Sequence, residues 1–360
     1  MKMRKLLALA MAAAMTFTFA GCGGSTGSTE EAAPQEAAEE TAAEETEAES
    51  EDADADAGSD VSYKVGVVQL VQHEALDAAT EGFQTALKDE LGDQVEMDVQ
   101  VASGEKDQCS TIVNTFVSND YDLIMANATP ALQAAQAATA DIPIVGTSVT
   151  DYATALDISD WNGTTGMNIT GYSDLAPLDE QAQLLNDWTP ADKFPNLGIL
   201  YCSNEANSKY QADEISKDFE ELGYTVKTYT FADSNDLASV ATTACQDSDV
   251  IYIPTDNTAA DNTENIRNVV EPQKVPVFVG EENMCKGCGV ATLSISYYDM
   301  GYEAGKVAAD ILKNGTDPSG VEIGTVGADD LTKKYNEEIV KAIGIETPDL
   351  EGYEKLDLSE

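Results

Sequence analysis

Basic residues are what this chain of 360 residues has least of: 19 lysines and arginines stand against 66 aspartates and glutamates, a net charge of −47. Past residue 22 a single arginine remains, Arg267, in a helix-like run, and His73 is the sole histidine of the chain. Each shortage excludes something. A surface this acidic disfavours nucleic acid and anionic lipid as partners. Phosphate and dicarboxylate ligands are normally held by arginine forks, and here there are none to spare. One histidine is too few for a histidine-rich metal site, and beyond residue 60 there is neither a G-x-S-x-G turn nor a phosphate-binding loop. The sequence therefore offers no catalytic constellation and calls for no cofactor and no metal. A second long apolar run is also missing, so nothing after the first 22 residues is long enough to span a bilayer.

Cysteine is sparse and oddly numbered. With Cys22 set aside, Cys109, Cys202, Cys245, Cys285 and Cys288 remain. Cys285-Lys286-Gly287-Cys288 is a C-x-x-C, but zinc would need further ligands, and a thioredoxin-like centre would need a helix start after a strand. The motif reads as part of a glycine-rich loop. Cys285 and Cys288 are a candidate disulfide, or else two free thiols.

The ends of the chain read separately from its body. Lys2, Arg4 and Lys5 precede a mostly apolar run from Leu6 to Phe19, the pattern of a signal peptide over 1–22. Phe19-Ala20-Gly21-Cys22 resembles a bacterial lipobox, which marks Cys22 for lipidation and anchors the chain to a membrane without spanning it. Residues 23–60 carry 14 acids and no base, a composition that cannot bury enough apolar surface to fold and reads as a disordered acidic linker. That leaves 52 acidic against 16 basic residues in 61–360, enough chain for two lobes.

The body is built from one pattern used twice. Its clearest unit is Asp249 to Thr258: the apolar run Val250-Ile251-Tyr252-Ile253 stops at Pro254, and polar Thr255, Asp256, Asn257 and Thr258 follow before a helical run. In a parallel α/β sheet, ligands sit at the carboxyl ends of the strands against helix N-termini. The first half runs through strands at Lys64–Val68, Val95–Val101, Asp122–Ala126 and Asp141–Gly146. The second repeats it at Asn196–Leu200, Tyr224–Phe231, Asp249–Ile253 and Lys274–Gly280. Strands alternating with helices imply parallel sheets with right-handed crossovers. A strand at Val290–Ile295, a helix at Tyr298–Leu312, a strand at Val321–Val326 and a helix at Leu331–Ile343 complete the chain. Hinge passages are expected near Gly171–Asp174, Ser294–Ser296 and Gly320–Glu322. These divide the body into a lobe of 61–172 plus 296–320 and a lobe of 173–295 plus 321–360.

Several local motifs carry a family resemblance. Gln72-His73-Glu74-Ala75-Leu76-Asp77, Ala128-Thr129-Pro130-Ala131, Thr150-Asp151, Ser203-Asn204-Glu205-Ala206-Asn207-Ser208, Pro254-Thr255-Asp256-Asn257-Thr258 and Gly280-Glu281-Glu282 resemble those of the tryptophan- and tyrosine-binding (TrpX-like) lipoproteins, substrate-binding proteins of ABC importers. The likeness spans about 62–345. It implies an α/β, type I periplasmic-binding-protein fold: two Rossmann-like parallel-sheet lobes joined by a three-crossover hinge. It also implies an amino-acid ligand, often aromatic, delivery to an ABC permease and its ATPase, and an extracytoplasmic, membrane-anchored location. After Glu282 the chain departs from the family's apolar stretch with Asn283-Met284-Cys285-Lys286-Gly287-Cys288.

The turn residues alone suggest a clamp for a zwitterion. An ammonium would pair with Asp256 or Glu281. A carboxylate would meet helix N-termini and hydroxyls at Thr129, Thr147, Ser148, Asn204, Ala206 and Asn207. Leu76 and Asn257 complete the expected contacts. Carboxylates at such places also serve as ordinary helix caps. Tyr152, Tyr201, Tyr297 and Met284 lie near the cleft by sequence and could pack on an apolar or aromatic side chain, though such residues are more often core or hinge packing. His73 could contact ligand, though a lone histidine in a polar turn is more often surface. Other readings of the same fold are a nucleoside or sugar binder, or a ligand-sensing receptor.

Overall fold

The computed structural model describes residues 62–327 and 331–358. The signal peptide, Cys22 and the acidic linker lie outside the described residues.

The first sheet is built from β1 (Tyr63–Gln69), β2 (Val95–Val101), β3 (Leu123–Asn127), β4 (Ile144–Val149) and β5 (Ile169–Ser173). Between them run helices α1 (Glu74–Leu91), α2 (Lys106–Ser118), α3 (Thr129–Ala138) and the short α4 (Tyr152–Ala155). Central strands such as β1 are near-continuous apolar runs, with Val65, Val67 and Val68 fully buried, because helices cover both faces of a parallel sheet. β2 sits at the edge and is only half-buried.

The second lobe repeats the scheme. It uses α5 (Leu178–Trp188), β6 (Asn196–Cys202), α6 (Ala206–Glu221), β7 (Thr225–Phe231), α7 (Ser234–Asp247), β8 (Val250–Ile253), α8 (Asn257–Ala260), α9 (Thr263–Gln273), β9 (Val277–Val279), α10 (Glu282–Gly287) and β10 (Ala291–Ser294). The chain then returns to the first lobe with α11 (Tyr297–Asn314) and β11 (Gly324–Thr325), and ends with β12 (Thr332–Tyr335), α12 (Glu337–Ile343) and β13 (Tyr353–Lys355) in the second.

The strand orders are β11-β5-β4-β3-β1-β2 and β13-β12-β10-β9-β8-β6-β7. All pairings are parallel except β10 with β12. In each sheet the order reverses beside the first strand of the lobe, between β1 and β3 and between β6 and β8. Such switch points open a crevice at the strands' carboxyl ends.

Three sequence expectations change. The third passage between lobes lies beyond Thr325, not at Gly320–Glu322, because β11 still pairs with β5 in the first sheet. The helix expected over Leu331–Ile343 is split. Thr332–Tyr335 pairs antiparallel with β10, and α12 starts only after Asn336, whose side chain accepts from Glu338 N and Ile339 N. The C-x-x-C is not a loop: Cys285 lies within α10 and Cys288 directly follows it. Both thiols are free and fully buried in the second lobe's core, so the candidate disulfide is not formed. Burial pushes both thiols well above their usual range, the opposite of a reactive pair.

Helices α1 and α11 pack at backbone distance. A Cβ on Gly82 would stand 2.1 Å from the Tyr298 carbonyl oxygen, and one on Gly301 would stand 2.0 Å from that of Ala79. Gly301→Ala gains helix propensity worth about 1 kcal/mol, but the neighbour it strikes is backbone and must move. Overpacking of this kind costs about 1–3 kcal/mol. We expect a net loss of stability, read as a lower urea midpoint at unchanged slope.

Candidate ligand-binding cleft

The strand ends of the two sheets meet across a closed seam. Lys286 Nζ reaches Glu74 Oε2 at 2.9 Å and Lys106 Nζ reaches the Asn204 carbonyl at 2.6 Å, each contact joining one lobe to the other. Between the lobes lies a small cavity of about 10 Å³, room for about one water molecule, so a larger ligand enters only when the lobes part. Its wall combines His73, Ala75, Leu76 and Ser148 of the first lobe, Asp174 and Tyr297 of the hinge, and Asn207, Thr255, Asp256, Asn257, Ala260 and Glu281 of the second. Among the described residues, no lysine or arginine lines it.

Four carboxyl groups are buried around this cavity, each with its own partners. Asp256 caps α8. Its Oδ1 accepts from Ala259 N at 2.8 Å, and its Oδ2 accepts from Cys202 N at 2.7 Å, tying the end of β6 to the end of β8. Glu281 caps α10, accepting from Asn283 N at 2.6 Å and Met284 N at 2.7 Å. Asp174 accepts from Tyr297 OH and Thr150 Oγ1, both at 3.0 Å. Glu205 lies just behind the wall. It accepts from Asn257 N and Nδ2 on one oxygen and from Thr258 N and Oγ1 on the other, at 2.7–3.0 Å.

Desolvation governs the electrostatics. Burial, reinforced by Glu205, pushes Asp256 up to about 8. Burial pushes Glu281 up to about 7 and raises Asp174. Hydrogen bonds to the ionised forms pull the other way and lose. Burial also lowers His73, so its imidazole is neutral at pH 7.

On the first lobe the backbone itself is strained toward the cleft. Ala128 at the end of β3 has φ 89° and Ser148 near the end of β4 has φ 54°. Left-handed conformations of residues other than glycine cost of order 1–3 kcal/mol and cluster at functional sites. Thr129 Oγ1, Ser148 Oγ, Asn207 Oδ1 and His73 Nδ1 are buried with no hydrogen-bond partner among the described residues. Four unpaired polar atoms in one region mark a surface prepared for something polar.

Of the residues expected from sequence, Leu76, Ser148, Asn207, Asp256, Asn257 and Glu281 come together around the cavity. Thr129 and Thr147 are buried but not on its wall; Thr147 Oγ1 faces Met125 Sδ at 4.0 Å. Asn204 instead borders a larger cavity of about 520 Å³ at the mouth of the cleft, with its Nδ2 on the Ala232 carbonyl. Ala206 begins α6 and lines neither cavity. Asp174 was not expected there, and Tyr297 and His73, weighed as cleft contacts, were read first as packing and as surface. Asp174 follows β5 just as Asp256 follows β8, so the rule of polar residues at strand ends reaches it. Its position in the hinge masked that role.

Comparison with known proteins agrees with this fold. The sequence profile described as ABC transporter substrate binding protein matches residues 64–350. The chain belongs to the ABC transporter substrate-binding proteins. It is 32% identical to a tyrosine-binding protein of Clostridioides difficile over 285 residues, covering 78% of this chain and 81% of that one. A structure from Streptococcus pneumonia in complex with L-Trp superposes with a TM-score of 0.77 at 30% identity, covering 82% of this chain and 99% of the other. The ligand-free, open structure of a substrate-binding protein with adhesive properties from Clostridium difficile, at 33% identity and the same coverage, superposes with only 0.62. This substrate-binding protein has the type I fold of two parallel-sheet lobes and three crossovers, and it superposes better on the L-Trp complex than on the ligand-free, open structure.

The pKa directions fix a pH dependence. Asp256 and Glu281 lie far above unfolded values of about 3.9 and 4.3. The stability they contribute is complete below about pH 4 and is lost as pH rises through 7 and 8. We expect the ligand-free protein to unfold at lower denaturant at pH 8.5 than at pH 5.5. Equal midpoints would contradict the burial of these two groups.

Proposed function

We propose that this protein is a lipid-anchored, extracytoplasmic receptor that captures an aromatic amino acid between its lobes and delivers it to an ABC import permease and its ATPase. The observation that carries the reading is the cavity ringed by buried carboxyls with no basic side chain. An ammonium group supplies the missing positive charge, and it does so next to groups that burial alone would leave neutral. A sugar or nucleoside carries no such charge.

The ligand's ammonium lies at the hinge end, by Asp174, Glu281 and Asp256. Its carboxylate turns toward Ser148 and the start of α3, where Thr129 Oγ1 is also unpaired. Leu76 and Tyr297, with the small Ala75 and Ala260, form the apolar wall on which a side chain packs once the lobes have parted to admit the ligand. The tyrosine-binding relative and the L-Trp complex support an aromatic ligand. The basic start, the apolar run and Phe19-Ala20-Gly21-Cys22 support the anchor.

The test is a thermal-melt screen against amino acids, nucleosides and sugars, after unfolding and refolding to strip any carried ligand. A ligand at a hundred times its Kd adds about 2.7 kcal/mol, or several degrees at about 2–4 °C per kcal/mol. We expect an aromatic amino acid to produce this shift. Asp174→Asn should weaken its binding at least about 30-fold, the equivalent of about 2 kcal/mol for a buried charge that loses its partner. A shift with a sugar or nucleoside alone would overturn the amino-acid reading.

A further inference from the structure

His73 has a defined proton arrangement that the roles assigned so far do not use. Asn257 Nδ2 donates to Glu205 Oε2 at 2.8 Å, which fixes the orientation of the Asn257 amide. Asn257 Oδ1 therefore faces His73 Nε2, at 3.5 Å across the seam between the lobes. An amide oxygen can only accept, so Nε2 carries the ring proton. In the neutral ring Nδ1 is then an acceptor, and it is buried with no partner among the described residues. A buried acceptor left unpaired is costly, and a donor brought in by a ligand removes that cost.

The cavity has two chemically different ends. Glu281 and Tyr297 also border a space on the hinge side, whereas Asn257 also borders the space at the mouth. His73, bonded to Asn257, belongs to the mouth end. The groups that suit an ammonium, Asp174 and Glu281, belong to the hinge end. Ala75, Leu76 and Ala260 form the apolar stretch of wall. A ligand held by its ammonium at the hinge thus presents its side chain toward the mouth. A carboxylate does not suit the His73 side of the mouth, because the imidazole offers it a lone pair and not a proton.

We infer that His73 Nδ1 accepts a hydrogen bond from the ligand's side chain, so that the site selects aromatic amino acids with a ring O–H or N–H and discriminates against those without one. This rests on the amino-acid reading above. It makes His73 a specificity-determining residue, with Glu205 and Asn257 positioning it.

The test is titration calorimetry on the refolded full-length protein with two ligand pairs that differ in the ring donor: L-tyrosine with L-phenylalanine, and L-tryptophan with 1-methyl-L-tryptophan. 4-Amino-L-phenylalanine restores a donor and 4-fluoro-L-phenylalanine does not. Within whichever pair binds, we expect the donor-bearing member to bind about ten- to a hundredfold tighter, with the amino compound ahead of the fluoro compound. His73→Phe should reduce that ratio to near one, mainly by weakening the donor-bearing ligand. Equal affinities within the pair would overturn the inference while leaving the amino-acid reading intact. So would a His73→Phe variant that weakens both members alike. If His73→Phe fails to fold, the ligand series on the unaltered protein decides alone. Absence of binding by any amino acid would remove both readings.

Discussion

Taking a carboxylate out of water costs several kcal/mol unless its hydration is replaced. Around the central cavity of this protein that replacement is made by backbone N–H groups and hydroxyls. Asp256 and Glu281 are bonded by the first turns of the helices they cap, Asp174 by Tyr297 and Thr150, and Glu205 by Asn257 and Thr258. The arrangement of strand ends, short helices and hinge is what brings these donors into place. Several of the described bases are used in ion pairs with solvent-exposed members, such as Lys209 with Asp213 and Lys306 with Glu303. Such pairs contribute little to stability. The cleft therefore holds carboxyls that burial biases toward the neutral form, and in its low-dielectric setting a single cation has a large effect on their ionisation.

The same carboxyls explain why helix capping and ligand contact need not compete. A carboxylate has about four lone-pair sites. Asp256 uses one on Ala259 N and one on Cys202 N, and Glu281 uses two on α10. Both still line the cavity. A residue can close a helix and remain open to a ligand, provided that its backbone partners fix its direction first.

Much of this was legible in the sequence, because parallel strands buried on both faces appear as unbroken apolar runs. Val250–Ile253 is such a run, and the polar turn after it lies at the cleft. The second-lobe strand at Thr332–Tyr335 was not legible: its residues are all half-buried and include two lysines, so neither a period of two nor an apolar run marks it. Its pairing with β10 is a long-range contact that no local pattern encodes. The third passage was misplaced for a similar reason, since β11 is two residues long and is held only by its neighbour. His73 was read as surface because a lone histidine in a polar turn gives no sign of the lobe that will close over it. Asn204 and Ala206 share a motif with Asn207, yet only Asn207 turns inward. Spacing along a helix start does not say which side chain faces a partner lobe.

The backbone contact between α1 and α11 has a mechanical consequence. Two helices touching through glycines cannot slide past one another, so α11 moves with the first lobe as a single strut. Its first residue, Tyr297, is bonded to Asp174 in the neighbouring passage. Any rotation of one lobe against the other has to pivot where the passages run, and that places the axis close to this pair. The hinge end of the cavity then scarcely travels as the lobes part, while Asn257 sweeps a wide arc away from His73. A ligand could stay moored at the axis throughout, with only its far end sensing whether the jaw has shut.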